Sequence, residues 1–171
     1  MKRFFLYFAV LCALLSCNSH KANDTIPLKV PEDQMALHLQ FANDISRLME
    51  EDSVQWDAVI ALSDSAQAIF WYVPEAFAPE AFAWHHLGDK AKSDSLFMHM
   101  RNLYDRRLRQ RADFSDALNR ALVSGFLYGP EALIAELDSL AKLKIYQSNS
   151  KELDDWRKIG AEALEQILGA R

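Results

Sequence analysis

Cys17 closes the stretch LLSC and is the only thiol outside the apolar run Phe4–Leu15, which holds Cys12. A thiolate is a strong nucleophile, and the small Ser16 before it leaves room for an enzyme at the peptide bond between them. A second group of candidates is aromatic. The segment IFWYVPEAFAPEAFAWHHL sets Phe70, Trp71, Tyr72, Phe77, Phe82 and Trp84 close together and repeats PEAFA in tandem. Such rings bury about 150–250 Å² each and dominate binding hot spots. Trp71, Tyr72, Phe77, Phe82 and Trp84 are therefore candidates for a groove that takes a peptide, a glycan or a partner's helix. The same rings would serve equally as the core joining two pairs of helices. A third group is basic: RNLYDRRLRQR carries Arg101, Arg106, Arg107, Arg109 and Arg111. Arginine forks match carboxylates and phosphates, which makes Arg106, Arg107 and Arg109 candidate anion-binding residues. Asp105 lies four residues from both Arg101 and Arg109, the spacing of local ion pairs on a solvated helix face.

Other chemistry is thinly represented. His85 and His86 are adjacent, with His99, Asp89 and Asp94 nearby. Adjacent histidines on a helix point in different directions, and no H-E-x-x-H or C-x-x-C pairing accompanies them. The pattern predicts no metal site. There is no G-x-S-x-G and no phosphate-binding glycine loop. The acidic run Glu50, Glu51, Asp52 has the character of a solvated helix end. No catalytic residue and no cofactor is expected.

The N-terminus explains Cys17. Lys2 and Arg3 precede an uncharged apolar run of twelve residues, Phe4–Leu15. That is too short to span a bilayer, which takes roughly 20 residues, and it has the length of a signal-peptide core. Leu14, Ser16 and Cys17 then resemble the lipobox of bacterial lipoproteins. The resemblance covers the first 17 residues. It implies that residues 1–16 are a lipoprotein signal peptide, that Cys17 is lipidated, and that the mature chain is anchored in the bacterial cell envelope, periplasmic or on the outer-membrane side. Two or three acyl chains make a durable anchor where one does not. Cys12 would leave with the signal, so the mature chain would hold neither a thiol nor a disulfide.

Removing that segment takes two basic residues and no acidic one, leaving seventeen Lys and Arg against 24 Asp and Glu. The mature chain would carry a net charge of −7, which argues against a general nucleic-acid binder. Residues 17–30 are expected to be the lipidated cysteine and a flexible tether. The polar, proline-containing part beyond Cys17 reaches at most roughly 43 Å. Residues 31–171 are expected to form a single all-helical domain, long enough to fold without staples.

The helical expectation rests on starts and stripes. Four prolines precede glutamate, in Pro31-Glu32, Pro74-Glu75, Pro79-Glu80 and Pro130-Glu131. Proline suits the first helical position, and a first-turn glutamate meets the positive end of the dipole. Met35, Leu39, Ala42, Ile45 and Met49 form one apolar stripe. Leu96, Met100, Leu103 and Arg107 align on another, and Leu133, Leu137, Leu140 and Ala141 on a third. Asp52 or Ser53 would cap the second helix, and Asn149 with Glu152 would form a variant capping box for the last. The second proline of the tandem PEAFA should interrupt any helix begun by the first. Hairpins are predicted over 32–50 with 53–72, 79–87 with 89–111, and 114–128 with 130–145, before a final helix marked by Leu153, Trp156, Gly160, Ala163 and Ile167. The fold class is all-α, a helical bundle or a short stack of antiparallel helix hairpins. Trp84-His85-His86-Leu87-Gly88 resembles the W-x₂-L-G opening of a tetratricopeptide repeat, which implies stacked helix pairs.

Two functions fit. One is a lipid-anchored interaction or scaffold module that holds a protein partner at the membrane. The other is a small envelope enzyme or carbohydrate-active protein that uses the aromatic groove. An enzyme would show convergent carboxylates or histidine at the base of a pocket.

Overall fold

The computed structural model describes residues 25–50 and 53–169. The expected signal segment, Cys17, the expected tether as far as Asp24, and Glu51, Asp52, Ala170 and Arg171 lie outside the described residues. The chain is all-α. Seven α-helices are present among the described residues: α1 (Glu32–Glu50), α2 (Trp56–Ile69), α3 (Ala78–His86), α4 (Lys90–Gln110), α5 (Phe114–Tyr128), α6 (Pro130–Ala141) and α7 (Ser150–Gly169). Two short 3₁₀ helices, Pro74–Phe77 and Lys144–Asn149, precede α3 and α7. The chain divides into two compact units, Met1–Leu103 and Tyr104–Arg171, and the division falls inside α4.

In the first unit α1 packs on α2, and α2 packs on α3 and on the 3₁₀ turn before it. The buried face of α1 is His38, Ile45 and Met49, while Leu39 from the expected stripe is exposed. The face is shifted because His38 lies seven residues before Ile45, a two-turn spacing that Leu39 does not share. Ile45 and Met49 meet Val59 and Ala83 in one apolar cluster, with Leu48, Val54 and Trp56 around it. Ile26 and Val30 are also buried, so folded chain begins inside the segment expected to be a tether. Helix α2 starts at Trp56 behind Gln55, whose side chain makes no capping bond, rather than behind Ser53. The tandem PEAFA behaves as its prolines require. Pro74 opens the 3₁₀ turn, which ends at Phe77, and Pro79 sits in the first turn of α3. Gly88 ends that helix at φ +82, a conformation that disfavours residues with a Cβ.

In the second unit α5 packs on α6, and α6 packs on α7. Asp113 caps α5 by accepting from the backbone N–H of Ser115 (3.0 Å) and Asp116 (3.3 Å). Gly129, at φ +95, turns the chain between α5 and α6, its N–H bonded to the Gly125 carbonyl at 2.8 Å. Leu133 and Leu137 of α6 are fully buried, with Leu153 and Leu164 of α7. The close approach of α5 to its neighbours depends on Gly125: a Cβ there would overlap Leu164 Cδ1 and lie 3.1 Å from Leu133 Cβ.

Candidate functional site

The aromatic segment begins where α2 ends. The Phe70 N–H bonds back to the Ala66 carbonyl at 2.8 Å, and the Val73 N–H bonds to the Phe70 carbonyl at 2.9 Å. The second bond closes a four-residue turn, Phe70–Val73. Phe70, Tyr72 and Val73 of this turn are buried. Phe70 sets its ring edge-on to His38 (centroids 5.0 Å, 74°) and to Phe41 (6.3 Å, 80°). Trp71 alone in the turn faces outward, 51% exposed, with the edge of the Tyr72 ring 5.6 Å from it at 84°. An indole is thus held out on a turn whose other side chains are fixed in the core.

The remaining rings run inward. Phe77 is buried and tilted against His99 (4.6 Å), and Phe82 is buried edge-on to Phe97 (5.4 Å). Trp84 is half-buried. Its Nε1–H donates to Glu80 Oε1 at 2.9 Å, and Lys92 Nζ lies 3.6 Å above its ring. Glu80 itself is buried and accepts at Oε2 from Gln67 Nε2 at 2.8 Å. Two neutral donors therefore satisfy both oxygens of a carboxylate taken out of water. Of the rings that could form a groove or the core, Tyr72, Phe77 and Phe82 supply the core of the first unit. Only Trp71 remains as a broadly exposed member.

Around the turn, burial shapes ionisation. His38 is held below the usual histidine value by loss of water, with Glu75 opposing in part. The Tyr72 hydroxyl is pushed up, first by burial and then by Asp33, and it makes no hydrogen bond among the described residues. At the far end of α3, His86 stacks face to face on Trp56 (4.5 Å, 10°). Burial lowers it as well, and the neighbouring His85 lowers it further. His85, His86 and His99 are engaged with rings, and no cluster of metal-ligating side chains occurs among the described residues.

The arginine candidates separate. Arg106 and Arg109 are exposed. Arg107 is buried, its Nε donating to Asp116 Oδ2 at 3.1 Å, so its charge serves the interior of the second unit and is withdrawn from any external anion. The sequence carries the signal for this: Arg107 lies on the apolar line of Leu103 and Met100. Asp105 pairs with Nε of Arg120, whose Nη1 reaches Glu136 on α6. Glu136 also accepts from the Ser124 hydroxyl at 2.7 Å. Asp105, Leu108 and Arg109 of α4, Ala117 and Arg120 of α5, and Leu140 of α6 line an open cleft of about 280 Å³.

The chain matches no protein-family model, no curated protein and no solved structure. Among the described residues no helix is long and apolar enough to cross a membrane.

Proposed function

We propose that this chain is a lipid-anchored interaction module of the bacterial cell envelope, tethered through Cys17 and holding a protein partner at the membrane. The observation that carries the contact half of this reading is Trp71: a large ring, 51% exposed, on a turn pinned by buried Phe70, Tyr72 and Val73. A ring carried on a turn whose neighbours are buried needs little backbone ordering to dock, and tryptophan is among the residues that most often dominate an interface. The lipobox-like Leu14, Ser16 and Cys17 support the anchoring half.

The test replaces Trp71 with a photoreactive phenylalanine analogue in the full-length protein in its native cells. A discrete cross-linked species is expected from position 71 and is expected to be absent from Leu87, an equally exposed control position. Cys17→Ser should leave the protein unprocessed or move it out of the membrane fraction. Identical cross-links from both positions would remove Trp71 from the reading. Membrane attachment and processing of Cys17→Ser like those of the parent would remove the anchor.

A further inference from the structure

We infer that the cleft between α4, α5 and α6 in the second unit is a binding site for a short aliphatic carboxylate. This does not depend on the reading of Trp71 or Cys17. The first argument is the distribution of charge at its rim. On a helix, Asp105 is the natural partner of Arg109, four residues on. Asp105 is instead bound to Arg120, which also holds Glu136. Arg109 is left exposed and without an ion pair among the described residues, and it is one of the residues that line the cleft.

The second argument is the wall. Leu108, Ala117 and Leu140 line the cleft between the charged residues. A ligand that satisfies both features carries an anionic head for the Arg109 fork and an apolar tail for these side chains. Size and sign narrow the class. A cleft of about 280 Å³ lies just below the range of drug-sized pockets and suits a small ligand. Asp105 and Glu136 already crowd two negative charges onto Arg120. A dianion such as phosphate would meet that field, whereas a monocarboxylate places one charge on Arg109 and nothing charged beside the acids.

The test is a titration of the full chain, read by ¹⁵N–¹H spectra, with hexanoate, hexanamide, acetate and inorganic phosphate in parallel. Hexanoate should produce saturable shifts at Leu108, Ala117, Arg120 and Leu140. Acetate, hexanamide and phosphate should each bind at least about tenfold more weakly, since each lacks the tail, the charge or the single charge. Arg109→Gln, a surface change, should weaken hexanoate by a similar factor. Hexanamide binding as tightly as hexanoate would reduce the cleft to an apolar patch, and phosphate matching it would reduce the rim to a general anion sink. Either result overturns the inference, as does hexanoate binding unchanged by Arg109→Gln or absent from the cleft residues. The ligand comparison uses the unaltered chain, so it stands whatever the variant does.

Discussion

The two units solve the same problem with different materials. The first, through Leu103, buries rings around a histidine and settles a buried acid, Glu80, with the neutral donors Trp84 and Gln67. The second, from Tyr104, buries a full charge pair, Arg107 with Asp116, and runs a further arginine, Arg120, between two acids. Every histidine of the chain lies before residue 100, and seven of its ten arginines lie after residue 103. The contrast teaches that an acidic helical chain can keep ionisable groups inside by either route, and that the routes fail under different insults. Neutral donors around an acid tolerate salt, and buried histidine does not tolerate acid. A buried ion pair does not survive loss of one partner.

The largest effect should come from unpairing the second unit. Asp116→Ala leaves Arg107 charged and buried, and should cost about 3–5 kcal/mol in denaturant unfolding. Replacing both residues with apolar ones of similar volume should recover most of that loss. A cost below about 1 kcal/mol for Asp116→Ala would show that the pair is not what holds this unit.

Phe82→Ala tests the first unit in the same units of energy. It should cost about 3–5 kcal/mol through the cavity it opens against Phe97. Trp71→Ala, at the outward position between buried Phe70 and Tyr72, should stay within about 0.5 kcal/mol. If Trp71→Ala were as damaging as Phe82→Ala, the exposed indole would be a packing residue and the proposed contact surface would be lost. An effect between these two belongs to Gly125→Ala. The added Cβ meets the movable end of Leu164 but also the fixed Cβ of Leu133, and should cost about 1–3 kcal/mol by overpacking. A neutral result would mean that α5 can shift away from its neighbours.

Much of the fold is legible in the sequence, and the reason is local. The proline–glutamate pairs and the apolar stripes place seven helices close to where they lie, because both signals are written within one helix. The bent tandem PEAFA follows from its prolines alone. What is harder to read depends on pairs distant in sequence. Asp105 has two arginines at helical spacing, and only tertiary packing hands it to Arg120, fifteen residues on. Arg107 reads as a surface cation by type and as a core residue by position, and position prevails because Asp116 neutralises it. His38 displaces Leu39 from the buried face of α1 because Phe70 offers it a ring edge. Which of the five rings stays outside is hard to read for a related reason: ring count says how much apolar area exists, and only the turn at Phe70–Val73 says which ring is left outside.

The contrast between the units is tested most directly by residue-resolved hydrogen exchange of the full-length protein as pH is lowered from 7.5 to 5.5, with intrinsic exchange rates corrected for pH. His38 and His86 sit below their usual value of 6.5 in the folded chain, so the unfolded state takes up protons first. Their contribution to stability is fully present above that value and is lost as pH falls through it toward the lower folded values. The account predicts that protection weakens in α1, the Phe70–Val73 turn and α3, while α5 and α6, in a unit without histidine, keep theirs. Equal weakening in both units, or earlier weakening in α5 and α6, would contradict it.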